Sequence, residues 1–353
     1  MTERTDADKG LRGSGPGMQR RQVLSVRVLN GLSLAKAGRG VMIPCLILLS
    51  ACAPGRVRVA MPGSIASRTT RIPATVRVQV HEAGALVVRD VSLEQYVETT
   101  ILSEMHPDVA DARVAEPLFE VQAIIARTYA VANAGRHAKD GFDLCATTHC
   151  QLYDPAQLQT SRWAPAAHDA VRRTAGELLW FADQPAQVVF HADCGGHTSD
   201  AAAVWGGSAV PYLVGAPDSC ATEHSAWTFD ARESALRAAL NADTRTNVGA
   251  TLDRVEVAGR DGAGRAELIT LRGARTFVIR GEVFRDVVTR AFGMKSLKST
   301  LFSVTRTGDR FVFAGRGFGH GVGLCQAGAA GRVRAGASPK DVLQHYFPGT
   351  SLH

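Results

Sequence analysis

The sequence predicts a mixed α+β fold, a single domain over residues 75–353, and three observations carry that prediction. Thr75-Val-Arg-Val-Gln-Val80 alternates apolar and polar side chains strictly, the period of a half-buried strand. Residues 93–105 and 117–138 repeat their apolar side chains at helical spacing. Toward the end, Gly315-Arg-Gly-Phe-Gly-His-Gly-Val-Gly-Leu-Cys-Gln326 places glycine at every second position, which leaves few side chains for a core and suits a loop lining a cleft.

The elements follow in order. The first strand meets a hairpin partner, residues 85–91, across Glu82-Ala-Gly84. Ser92 is placed to cap a helix from Leu93 to Met105, with Leu93, Val97, Ile101 and Leu102 on one face. Pro107 disfavours a helical His106, so Glu104 falls in the last turn. A second helix is expected from Pro117, tolerated in a first turn, to about Ala138. Its stripe is Leu118, Val121, Ile125, Tyr129 and Ala132, with Gln122 and Arg127 off it. Residues 141–155 lack periodicity and read as a loop carrying Cys145, His149 and Cys150. A third helix, 166–174, leads through Gly176 into apolar strands 178–182 and 187–192, the second delivering His191 and then Cys194-Gly-Gly-His-Thr198. Residues 199–225 read as loop. Beyond them, 232–241 and 281–292 read as helices, and 252–257, 267–271 and 276–279 as strands. A hairpin of 302–304 with 311–313 precedes the glycine loop, and 322–335 and 339–346 follow it as helices.

With 353 residues, 45% of them hydrophobic, the chain is globular. The net charge of +7 does not mark a nucleic-acid binder, because residues 1–51 hold eight Lys or Arg against three Asp or Glu. The remainder, 32 basic against 30 acidic, is nearly neutral. The basic segment ends in Val41-Met-Ile-Pro-Cys-Leu-Ile-Leu-Leu-Ser-Ala-Cys52, too short a run to span a bilayer. Leu49-Ser50-Ala51-Cys52 resembles the lipobox of bacterial lipoproteins. The expected organisation is therefore a lipoprotein signal peptide over 1–52 with lipid on Cys52, a tether over 53–74, and the domain. An exported chain sits where disulfides persist, and Cys145, Cys150, Cys194, Cys220 and Cys325 are odd in number. At least one of them stays reduced, binds metal or pairs outside the chain.

Several motifs together resemble one family. Leu93-Glu-Gln-Tyr-Val97, Ser103-Glu104-Met105, Gln122-Ala-Ile-Ile-Ala-Arg-Thr-Tyr-Ala130 and Cys194-Gly-Gly-His-Thr198 come first in the chain. Val204-Trp-Gly206, Pro211-Tyr-Leu213, Leu297-Lys-Ser-Thr-Leu-Phe302 and Gly315 to Gln326 complete the series. Their order is that of the stage II sporulation protein D family, the SpoIID/LytB domain, and the resemblance covers about residues 75–351. It implies a peptidoglycan-acting protein: the family's sporulation protein is a lytic transglycosylase that cuts glycan strands stripped of stem peptides, and other members are described as enhancers of a wall amidase. The resemblance places Glu104 at the family's acidic catalytic position. Residue chemistry agrees, since the negative end of a helix dipole and partial burial both hold a carboxyl protonated.

One carboxyl suffices for a lytic transglycosylase, and neither Glu98 nor Asp108 is a convincing second acid for two-carboxylate hydrolysis. Gln122, Arg127, Tyr129, His191, His197, Thr198, His320 and Gln326 are candidate sugar ligands, with Gly195, Gly196, Gly319 and Gly321 as bare backbone against which a glycan can lie. Plainer roles stand beside these: Arg127 as the ion-pair partner that holds the Glu104 helix, His197 as a local cap, the glycines as tight turns. Cys145, His149 and Cys150 offer three ligands for a structural zinc, or Cys145 and Cys150 a disulfide. No cofactor is required by the chemistry. Cys194 with Cys220 is the favoured disulfide, leaving Cys325 reduced, and Cys194 with Cys325 is the other pairing. The expected partners are peptidoglycan glycan strands, a membrane through the lipid anchor, and a wall amidase, without nucleic acid. The expected location is extracytoplasmic, on the periplasmic face of the outer membrane in a double-membraned host. Two competing activities are a glycan-binding module that stimulates an amidase, and a metal-dependent hydrolase centred on Cys145, His149 and Cys150.

Overall fold

A computed structural model describes residues 72–82, 84–105, 112–218 and 225–353. The expected signal peptide, Cys52 and most of the tether lie outside the described residues, as do His106, Asp108 and Cys220. No helix among the described residues is long and apolar enough to cross a membrane.

β1 (Thr75–Glu82) pairs antiparallel with β2 (Ala85–Ser92), and its inward Val76, Val78 and Val80 are buried, as the alternation requires. Ser92 closes β2 and caps α1 (Leu93–Glu104), its hydroxyl accepting the Gln95 N–H at 3.2 Å. α2 (Ala112–Ala132) corrects the expected second helix at both ends. Pro117 lies inside it, one backbone bond being forgone, because buried Ala115 continues the apolar stripe upstream. The helix stops short of Ala138 because the Asn133 amide donates to the Tyr129 carbonyl and Gly135 turns left-handed, with φ of 76°.

The expected loop over 141–155 contains β3 (Leu144–Cys145), paired parallel with β1. α3 (Gln157–Thr160) and α4 (Ala164–Arg173) follow, α4 packing on α1 and α2. β4 (Leu179–Phe181) pairs with β5 (Gln184–Pro185), and the strand expected over 187–192 shortens to β6 (Phe190–His191). The stretch read as loop over 199–225 contains α5 (Ala201–Trp205).

A second group of elements follows: β7 (Ala226–Arg232), α6 (Glu233–Asn241), β8 (Leu252–Arg260), β9 (Ala266–Gly273), β10 (Thr276–Arg280), α7 (Gly281–Phe292), β11 (Phe302–Thr307) and β12 (Arg310–Arg316). They form two antiparallel sheets, in orders β10-β9-β8 and β11-β12-β7. β7 escaped the sequence reading because only Trp227 and Ala231 of its residues are fully buried. The chain returns through β13 (Leu324–Cys325), parallel to β6, then α8 (Gln326–Arg334), α9 (Pro339–Tyr346) and β14 (Ser351–Leu352), which pairs with β4.

This is the α+β arrangement expected, with two hydrophobic cores. One gathers residues from Val76 to Leu213 and again from Val322 to Phe347, and the other is built from Trp227 to Phe313. The second core is thus inserted into the sequence of the first. The glycine loop runs at the seam, where Phe318 bridges Asp193 and Gly319 bridges Ser299.

Candidate functional site

Glu104 is the last residue of α1 and is partly buried. Its Oε1 accepts the Leu152 N–H at 2.6 Å. Burial pushes its pKa up to about 6, against the opposing effect of that hydrogen bond, so the carboxyl titrates near neutrality. The neighbouring Ser103 hydroxyl donates to the Thr99 carbonyl at 2.8 Å and accepts the Asp154 N–H at 2.9 Å. The end of α1 is therefore fastened to residues 152–154 on both sides of the carboxyl.

The glycine loop delivers Gln326 to the same place. Gln326 opens α8, whose N-cap Cys325 accepts the Gly328 N–H on its sulfur. The Gln326 Nε2 lies 3.5 Å from the Glu104 carbonyl oxygen and 3.5 Å from Gln122 Oε1, the outer limit of a hydrogen bond. Gln122 is fully buried and its own Nε2 lacks a partner among the described residues. Glu104, Gln122 and Gln326, read as candidates from segments 204 residues apart, thus converge.

His191 and His320 converge as well, in edge-to-face contact at 5.3 Å. The His191 Nδ1 lies 3.1 Å from the Val322 carbonyl, and the Val322 N–H donates to His320 Nδ1 at 3.1 Å. Burial, then the Arg285 and Arg265 guanidinium groups, press His320 down to about 3, and burial also lowers His191 far below an ordinary imidazole. The His320 ring is therefore neutral near pH 7. Trp205, 43% exposed at the end of α5, lies 5.0 Å from the His320 ring. Sequence reasoning missed it as a site residue, although an aromatic followed by two glycines is a visible signal for an exposed flat ring.

Other candidates are used internally. Arg127 is fully buried, and its guanidinium forks onto Glu94 at 2.9 and 2.6 Å while donating to the Val171 and Glu177 carbonyls. It holds the first turn of the Glu104 helix and is not presented to a ligand. Tyr129 is buried, accepts from Arg136 at 3.2 Å and sits beside Cys150, so burial pushes its pKa up to about 12. Thr198 is buried and exchanges hydrogen bonds with the Ala216 backbone, while the His197 Nδ1 lies 2.6 Å from the Thr198 carbonyl. A Cβ at Gly319 would stand 2.6 Å from His191 Cβ, and one at Gly321 would stand 2.3 Å from the Arg265 guanidinium. The space of the missing side chains at these two positions is filled from within the protein. At Gly195 a Cβ would likewise meet Leu301 at 2.7 Å, and Gly196 donates its N–H to the Cys194 sulfur.

Cys145, His149 and Cys150 come together with a fourth donor, His137, and the four ligand atoms lie within 4.8 Å of one another. Both cysteines are free thiols. The sulfur of Cys150 is 3.4 Å from His137 Nε2 and 3.8 Å from His149 Nδ1, and Cys145 is 3.7 Å from the latter. A tetrahedral zinc with bonds of 2.0–2.3 Å sets its ligands roughly 3.4–3.8 Å apart, so the donor set fits that ion. His137 was hidden from the sequence reading by placing it on α2. The chain actually leaves the helix at Ala132 and turns His137 back toward β3.

Residues 81–181 match the family model described as stage II sporulation protein, SpoIID. Over this segment the chain is similar to the SpoIID family. Residues 221–323, which contain the second core, match a domain of unknown function, DUF8618. The chain is 27% identical over 306 residues to stage II sporulation protein D of Bacillus subtilis, covering 82% of each protein. The stage II sporulation protein D of Bacillus amyloliquefaciens is 28% identical, over 78% of each. An amidase enhancer of Bacillus subtilis is 24% identical over 66% of this chain and 37% of its own length. Within the SpoIID match lie Glu104, Gln122 and the Cys145 cluster, whereas His191, Trp205 and Gln326 lie outside both matched segments. The SpoIID relationship assigns the chain a cell-wall-related role.

Proposed function

We propose that the chain cleaves peptidoglycan glycan strands without water, with Glu104 acting in turn as acid and base. The observation that supports this most is the Glu104 carboxyl itself, partly buried at a helix end with a pKa of about 6, on a residue whose backbone carbonyl faces Gln326 and, through it, Gln122. Protonated Glu104 donates its proton to the glycosidic oxygen as the C1–O bond of the muramyl sugar breaks. The resulting carboxylate takes the proton of the muramyl C6 hydroxyl, whose oxygen closes on C1 as a 1,6-anhydro ring. The carboxyl ends protonated and ready for another turn, so no second acid is needed. Gln122 and Gln326 supply amide groups that hold hydroxyls, and Trp205 supplies a ring face for a sugar.

Purified full-length chain incubated with peptide-free glycan strands is expected to release 1,6-anhydromuramyl ends, read by mass spectrometry. Reducing-end muramic acid without anhydro product would instead indicate hydrolysis and sink this reading. Trp205→Ala should weaken glycan binding by about 3- to 10-fold while leaving the folded state intact, since its ring is half exposed. Isothermal titration with glycan fragments measures it.

A second reading is favoured by the amidase-enhancer relative: a glycan-gripping module that brings an amidase to the wall. It predicts glycan capture and a raised amidase turnover with no new glycan ends.

His137, Cys145, His149 and Cys150 are proposed to hold a structural zinc. Four protein donors leave no open position for a catalytic water, which sets aside a hydrolase centred on Cys145, His149 and Cys150. When bound, the ion would tie β3 to the turn after α2. Chelation of the purified protein should lower its melting temperature, with recovery on adding zinc, and an unchanged melting curve would refute the assignment.

The remaining readings rest on the sequence alone. An extracytoplasmic location follows from the cell-wall role, and a lipid on Cys52 would anchor the protein there. Intact-mass measurement of membrane-extracted protein, with Cys52→Ser as the comparison, tests the anchor.

A further inference from the structure

We infer that His191, Cys194 and Cys325 form a second, fully enclosed site for a thiophilic metal ion, zinc in the first instance. Their ligand atoms lie within 4.8 Å of one another, and all three residues are buried. Four features point to an ion rather than to inert packing.

His191 retains a ring nitrogen, Nε2, that is buried and without a hydrogen-bond partner among the described residues. Such an orphan is costly unless something binds it. The other nitrogen, 3.1 Å from the Val322 carbonyl, has the partner that fixes the tautomer of a metal-binding imidazole. The sulfurs, moreover, are surrounded by backbone donors. Cys325 accepts the N–H groups of Cys194 at 3.2 Å and Gly328 at 3.3 Å, and Cys194 accepts that of Gly196 at 3.3 Å. Three N–H groups aimed at two sulfurs are the outer hydrogen bonds that metal-bound sulfurs receive. Finally, charge balances. Two thiolates neutralise one divalent ion, and the adjacent Asp218 already faces Arg332 at 3.4 Å.

Loading conserves atoms simply: the two S–H bonds break, two metal–sulfur bonds form, and two protons leave. The Cys194 thiol is bonded to Asp218 Oδ2 at 3.5 Å, which gives its proton a first acceptor and offers an oxygen for the fourth position. No oxidant is involved. The site would add to the β6–β13 pairing and the Ala327-to-Ala192 and Cys194-to-Cys325 hydrogen bonds in joining three stretches: the end of β6, the Cys194-Gly-Gly turn and the start of α8. Gln326, next to Cys325, would then be held against Glu104 by the ion.

The site differs from the Cys145 cluster in every residue, so the two can be separated. Full-length chain carrying Cys145→Ser and Cys150→Ser is stripped, kept reduced, and titrated with Zn2+ and, separately, with Co2+. One equivalent of bound metal and a thiolate-to-cobalt charge-transfer band are expected, and both should vanish when Cys194→Ser is added. In the wild-type chain the same titration should saturate at two equivalents, which keeps the test alive if the double variant fails to fold. Saturation at one equivalent in wild type would overturn the proposal. So would an intact-mass measurement of untreated protein showing Cys194 joined by a disulfide to Cys325 or to Cys220.

Discussion

Glu104→Gln is expected to abolish anhydro-product formation, by about 10²- to 10⁴-fold, while leaving the protein at least as stable as wild type. The two effects have one origin. Burial raises the Glu104 pKa from 4.5 to about 6, so the folded chain holds this proton more tightly than the unfolded chain does. The stability that the group contributes is therefore complete below pH 4.5 and is lost as pH rises through 6, by about 2 kcal/mol in all. Glutamine keeps an oxygen to accept the Leu152 N–H and carries no ionisable proton, so it avoids that loss. Denaturant unfolding of both chains at pH 4.5 and pH 8 should show the variant gaining relative to wild type at the higher pH. The pH–rate profile gives the matching kinetic result. If the acid role governs turnover, kcat/KM falls as pH rises above about 6. A variant that retained product formation would leave Glu104 as a buried carboxyl of no chemical consequence.

What the sequence made legible was local. Ser92, the apolar face of α1 and the placement of Glu104 in its last turn depend on residues within a few positions of one another, and each is observed. The β1–β2 hairpin and α7 were legible for the same reason. The meeting of Glu104 with Gln122 and Gln326 was reached through motif resemblance, because no periodicity connects residues 204 positions apart. His137 was lost to an overextended helix, since the carbonyl cap made by Asn133 is not visible as a break in apolar spacing. The glycine loop illustrates a different limit. Absence of a side chain shows that something must approach the backbone, yet only the fold reveals that His191 and Arg265 are what approach Gly319 and Gly321.

Arg127 exposes the same limit most sharply, and its substitution carries the largest expected effect on folding. From spacing alone it stood either as a sugar ligand or as a brace for α1, and its partners lie 33 to 50 residues away. Removing the guanidinium by Arg127→Met leaves the Val171 and Glu177 carbonyls without their donor and Glu94 without its fork. Glu94 is 43% exposed and can be rehydrated, so the loss is set mainly by the buried carbonyls and the imperfectly filled space, about 3 kcal/mol. For a folded domain of this size that corresponds to a fall of roughly 4–5 °C in Tm. Glu94→Gln should destabilise as well, because it strands a buried cation beside a neutral amide. A double substitution should lose less than the sum of the two, the signature of a shared interaction. If Arg127 instead served the glycan, Arg127→Met would raise KM and leave the melting temperature alone. A brace predicts the reverse: wild-type KM for the molecules that remain folded, and a Glu104 whose helix is released from α2 and α4 before the rest of the domain.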